Sequence, residues 1–318
     1  MKIFFLVFFL VFSSIVQADE GEYSPGRSKS LLTAIQNQRH HEIRKLLQPA
    51  LLRRPADPNF SMYNYEQEFQ AFHATPLLLA AQNSDRESVE ILLAAGAVPV
   101  IFDIRSHILF SLLKKKNMES IQVEILRRLY PFLKNKYHDE AWILGKSAQA
   151  PGTLINFALR KKKFVFVQVL LELEDRYVAS SDDIQIAVLG GAPAYIVEKL
   201  SLRQENQDPV DVSVFSWLLN NRTATPGEIE RSLKVLQILT RHNAELLPHT
   251  VESQSSIAMF AAVMSSDDTF RWLLQFIDDG VEGGWWPAQM VLKVLKQQER
   301  TQLTQEYSKV LAEKGLKK

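Results

Sequence analysis

Residues Thr75 to Gly96 read TPLLLAAQNSDRESVEILLAAG, two apolar runs parted by a short polar break. Thr75 stands where a side-chain oxygen caps a helix, and Pro76 follows in the first turn, where a missing N–H costs nothing. Ser84 and Glu87, three apart ahead of the second run, predict a capping box for a second helix. Gly96 follows Leu92 and Leu93 as a left-handed stop, and Ala97 to Pro99 leaves in an extended conformation. The stretch predicts a pair of short antiparallel helices.

Such a pair buries little by itself, so its landmarks should recur. A small residue, an apolar residue nine later and a leucine four after that appear five times: Ala34, Ile43, Leu47; Ala80, Val89, Leu93; Ala158, Val167, Leu171; Ala187, Ile196, Leu200; and Ala261, Phe270, Leu274. The alanine lets two helices approach closely, and the apolar residues four apart share one helix face. Two further pairs fit with longer turns, Ile108 to Leu113 with Val123 to Leu129, and Val212 to Leu219 with Leu233 to Leu239. The stretch from Trp286 to Leu311 reads as a terminal pair, its outer side polar through Lys296, Gln297, Gln298, Glu299 and Arg300.

Thr75 to Ala97 resembles the ankyrin repeat, whose TPLHxAA opening and VxxLLxxGA close are matched by Thr75, Pro76, Leu77, Ala80, Ala81, Val89, Leu92, Leu93, Gly96 and Ala97. It departs at Leu78, where the family usually has histidine. The resemblance implies an all-α chain, an ankyrin-like solenoid of stacked helix-turn-helix repeats over residues 30–284 with capping helices over 285–318. Spacing from Ala34 to Ala80 exceeds the family period of about 33 residues. The excess is an insert over residues 60–74, Phe60 to His73 of which carry five aromatic side chains.

Met1 to Ala18 holds five of the eighteen phenylalanines: Lys2 gives a positive start, Ile3 to Phe12 is unbroken apolar, and Val16-Gln17-Ala18 fits a cleavage site. The pattern predicts a signal peptide cut after Ala18, not an anchor, followed by a flexible 19–29. The chain has no cysteine, which removes disulfides, thiolate nucleophiles and cysteine zinc sites. Export without cysteine fits a bacterial periplasm. Of 318 residues, 37 are Lys or Arg and 36 Asp or Glu; losing Met1 to Ala18 removes Lys2 and no acid, leaving a formal charge of zero. Such a balance argues against a protein that neutralises phosphates, so nucleic acid is not an expected partner.

His40-His41 opens a helix with no third ligand at useful spacing, and reads as a surface pair. No nucleophile elbow, zinc-protease, phosphate-loop or dinucleotide pattern occurs, and Gly190-Gly191 lacks the strand a phosphate loop needs. No enzyme activity, cofactor or metal is expected. Lys114 to Lys116 and Arg160 to Lys163 fall at turns and read as solvated charge before they read as an anion site. Trp285-Trp286 reads as a shield for the last repeat or as an exposed contact. The aromatic insert is either a partner-binding loop or a lid.

By the family's geometry, contacts would come from tips after each second helix: Arg53, Asp57 and Asn59; Phe102, Asp103 and Arg105, beside Pro99; Asp175, Arg176 and Tyr177; and Tyr63 and Tyr65 of the insert. The resemblance implies a periplasmic protein-binding module, monomeric when unbound and not inserted in a membrane after cleavage. Most concretely, it is similar to exported ankyrin-type immunity proteins that neutralise phospholipase effectors of type VI secretion. The alternative is a scaffold supporting an envelope or oxidative-stress enzyme.

Overall fold

The computed structural model describes residues 24–49, 55–60, 62–63, 73–99, 107–113, 115–136, 153–204, 212–242, 257–276 and 288–315. The expected signal segment, Met1 to Ala18, Trp285-Trp286 and most of the aromatic insert lie outside these residues. The chain divides into two compact units, Met1–Leu154 and Ile155–Lys318.

The first unit holds α1 (Pro25–Gln36) with α2 (His40–Leu47), α3 (Pro76–Gln82) with α4 (Arg86–Ala94), and α5 (Ile108–Leu112) followed by α6 (Glu119–Lys136). The first helices lie side by side as α1–α3–α5, and the second as α2–α4–α6. Two-residue strands β1 (Met62–Tyr63) and β2 (His73–Ala74) pair antiparallel, Met62 opposite Ala74 and Tyr63 opposite His73. They pin together the two ends of the aromatic insert. These are the only strands among the described residues, so the chain belongs to the all-α class.

The second unit repeats the arrangement in α7 (Leu154–Arg160) and α8 (Phe164–Leu173), α9 (Ser181–Leu189) and α10 (Ala194–Ser201), α11 (Val212–Leu219) and α12 (Pro226–His242), α13 (Ile257–Met264) and α14 (Asp267–Leu273), and α15 (Ala288–Gln297) and α16 (Thr301–Glu313). Here α9, α11, α13 and α15 form one row, and α8, α10, α12 and α14 the other.

The landmark residues explain the packing. All five alanines, and Ile43, Val89, Val167, Ile196 and Phe270 nine residues on, are buried in the core. The third landmark divides: Leu171 and Leu200 are buried, whereas Leu47, Leu93 and Leu274 are half-buried.

One turn joins the helices in most pairs. The N–H five residues after the landmark donates back to its carbonyl in Arg39 to Ala34, Asp85 to Ala80, Lys163 to Ala158 and Ala192 to Ala187, all between 2.8 and 3.0 Å; Arg300 to Leu295 repeats it in the terminal pair. The residue before each donor has positive φ: Gln38, Ser84, Lys162, Gly191 and Glu299. This is the 6→1 bond and left-handed residue that close a helix with its own carbonyls satisfied. The Ala261 pair differs: Ser265 N–H donates to Ala261 O, and Asn221 from the preceding turn accepts from Ser266 N–H at 2.8 Å.

The caps agree in part with expectation. Thr75 Oγ1 accepts from Leu78 N–H at 3.2 Å with Pro76 in the first turn, and Gly96 has φ of 87°. The capping box assigned to Ser84 and Glu87 is corrected. Ser84 is spent on the left-handed position, so Asp85 is the cap and accepts from Ser88 N–H at 3.2 Å. In the terminal pair Arg300 is also corrected, because it is buried and not on the polar outer side.

Candidate partner-binding surface

The sequence-selected tips fall in quite different settings. Asn59 is exposed, but its amide is occupied: Nδ2 donates to Gly96 O at 3.2 Å and Oδ1 accepts from Val98 N–H at 2.8 Å. Asp57, half-buried, accepts from Asn59 N–H at 2.8 Å, and its own N–H donates to Ser28 Oγ at 2.9 Å. This tip stitches the first helix pair to the second. Asp175 and Arg176 are exposed at the turn after α8. Tyr177 is a correction, since it is 3% exposed and its hydroxyl donates to Asp183 Oδ2 at 2.6 Å. Asp183 also completes the capping box with Ser180, which places Tyr177 in the support of α9 and not on a contact face. Tyr63 lies in β1, while Arg53, Tyr65, Phe102, Asp103 and Arg105 lie outside the described residues.

His40 and His41 do not form one surface pair. His41 is exposed, whereas half-buried His40 reaches from α2 to the start of α4, with Nε2 2.9 Å from Asp85 Oδ1 and Nδ1 3.1 Å from Glu87 Oε2. Arg44 donates to the other Glu87 oxygen at 2.7 Å. Ser88 completes a Ser, Asp, His group in the wrong order for nucleophilic work. Its buried hydroxyl donates directly to the Asp85 carboxylate, with His40 on the far side of that carboxylate and not between the two as a general base. Its effect is to fasten one pair to the next. Among the described residues, no group of three or more His, Cys, Asp or Glu side chains is placed to hold a metal ion.

The basic runs act mainly at turns. Lys115 Nζ donates to Asn83 O at 2.8 Å, capping α3 from the next pair, and Lys163 is buried. Arg160, Lys161 and Lys162 remain exposed, as expected of a solvated turn, and Lys114 lies outside the described residues. The same device recurs. Asn83 Nδ2 donates to Ile35 O at 3.2 Å, Arg231 to Ala192 O at 2.8 Å and Val188 O at 3.2 Å, and Arg300 to Ala262 O at 2.8 Å. Each satisfies carbonyls at a first-helix C-terminus, where positive charge is also favoured.

The second-helix row of the second unit carries a groove between α10 and α12 of about 720 Å³. Tyr195 stands on one wall and Arg231, Lys234 and Arg241 on the other. At Gln237 and Arg241 it meets a hollow of about 410 Å³ lined by Trp272 and Phe276 beyond α12. Nothing local in sequence marked it, because its walls come from two helix pairs and each helix alone shows an ordinary polar face. No protein-family model matches this chain, and no curated protein matches it.

Proposed function

We propose that this chain is an exported, ankyrin-like solenoid that works by holding another protein, most concretely as an immunity protein that neutralises a delivered antibacterial toxin such as a phospholipase effector. The observation supporting the binding reading is the repeated turn and row packing within each unit. Stacked pairs of this kind spread side chains from successive repeats over a wide surface. Export rests on the Met1 to Ala18 pattern, and no helix of the described residues is long and apolar enough to cross a membrane.

Two measurements test the reading. N-terminal sequencing of protein from a periplasmic extract is expected to begin at Asp19; recovery in the cytoplasm with Met1 intact would sink the export. Affinity capture from periplasm, followed by mass spectrometry, is expected to return one stoichiometric protein partner. A lipase-like toxin, together with increased susceptibility to sibling cells on gene deletion, supports immunity. A catalase or peroxidase instead transfers the assignment to a scaffold role, and no partner from either class overturns both.

A further inference from the structure

We propose that the α10–α12–α14 groove is the docking site for a segment of a partner protein that carries carboxylate side chains flanked by apolar ones. The proposal rests on the protein-binding reading and gives it a location away from the tips.

Ion pairing along the second-helix rows singles out this place. Successive second helices are bridged by Arg44–Glu87, Arg86–Glu124, Lys199–Glu172, Arg241–Glu198 and Arg271–Glu306. Among the described residues the α12–α14 step has no such pair and presents Trp272 and Phe276 beside Arg241 instead. The rings of Trp272 and Phe276 meet edge to face with centroids 5.1 Å apart, a preorganised apolar platform.

Charge in the groove is unbalanced. Of its two carboxylates, Glu230 is engaged by Lys234 at 2.7 Å and Glu198 by Arg241 at 4.0 Å. Among the described residues Arg231 faces only neutral acceptors, the Ala192 and Val188 carbonyls, and lies over the exposed Trp217 ring with its guanidinium carbon 5.6 Å from the centroid. Burial pulls its guanidinium below the ordinary arginine range, as expected of a partly desolvated cation. An incoming carboxylate supplies a counter-charge where water screens it less. Tyr195, 42% exposed, and the Trp272 platform provide apolar contacts on either side. Tyr, Trp and Arg are the residues that dominate interface energetics. From Arg231 to Arg241 the helix rises roughly 15 Å, room for about five extended residues.

The test is selection of a random dodecapeptide library displayed on phage against the full mature chain, with recovered peptides synthesised and their affinities measured by fluorescence polarisation. Enriched peptides are expected to combine Asp or Glu with aromatic or aliphatic residues. They should weaken at least tenfold with Arg231→Gln or Tyr195→Ala, weaken with added salt, and ignore Asp175→Ala. Because Arg231 also caps α9, exposed Lys234→Glu serves as a second charge variant, with circular dichroism reporting folding. Absence of enrichment, enrichment of basic or uncharged peptides, or indifference to all three groove variants overturns the proposal. Partner capture that persists equally in Lys234→Glu and Tyr195→Ala leaves protein binding standing and removes the groove; loss of all capture by the wild-type chain removes the protein-binding reading itself.

Discussion

The left-handed residues of the turns are a local weakness. Gln38, Ser84, Lys162 and Glu299 hold φ between 52° and 56°, where a Cβ costs roughly 1–2 kcal/mol relative to right-handed backbone. Ser84 adds a buried Oγ without a hydrogen-bond partner. Ser84→Gly is therefore expected to stabilise the protein by about 1–2 kcal/mol, seen as a higher urea midpoint at unchanged slope. Gly191→Ala, where φ is 82° and a Cβ meets nothing, should lower stability by about 1–2 kcal/mol from the same torsional term. Gly96, Gly191 and Gly315, and Asn117, are of the residue types that favour positive φ. Gln38, Lys162 and Glu299 have no intrinsic preference for positive φ, and tertiary packing of the flanking helices imposes it. Likewise Tyr177 reads as an exposed tip until Asp183, buried beneath it, gives the hydroxyl a partner.

At the scale of helices, the pairs were legible because alanine and apolar landmarks recur at fixed spacing, and Thr75, Pro76 and Gly96 mark α3 and α4. The bonds between pairs were not. Asn83 and Ile35 are 48 residues apart, and a lone asparagine or arginine carries no sign of which carbonyl it will reach. These bonds are expected to matter. Arg300 is 9% exposed and binds the α13 carbonyls together with Asp267 Oδ1 at 2.6 Å. Arg300→Met should cost about 1–3 kcal/mol by chemical denaturation, since it strips a charged donor from buried carbonyls; Asp267, about half exposed, is left to water and adds little.

A second link in that pair responds to acid. Arg271 donates to both Glu306 oxygens, at 2.8 and 3.3 Å, and this hydrogen bonding holds the Glu306 carboxyl below its ordinary value of 4.5. A carboxylate with a lower pKa folded than unfolded stabilises fully above the unfolded value and loses that contribution as pH falls through the folded one. Unfolding free energy measured from pH 6 to pH 3 should therefore fall less steeply in Glu306→Gln than in the parent. Equal slopes would place no titrating link there. The effect is small, because both side chains are about one-third exposed and solvent screens them.

Across the whole molecule there is no disulfide, and each described pair is steadied by its neighbours. The terminal pair covers α13, and Tyr307 meets Phe270 edge to face at 6.1 Å. A chain ending at residue 287 would uncover Phe270 and the α13 carbonyls. It is expected to aggregate or to lose protection of α13 amides in hydrogen exchange, whereas unchanged protection would show the last pair to be dispensable. The carbonyl caps carry a further consequence. Asn83 serves α1, Lys115 serves α3, and two arginines, Arg231 and Arg300, serve α9 and α13, so three residue types of different reach do one job. A repeat excised, duplicated or moved would arrive with the wrong key for its new lock. A chain in which α3 and α4 change places with α9 and α10 is therefore expected to unfold at lower urea than the parent, even though every helix in it is native.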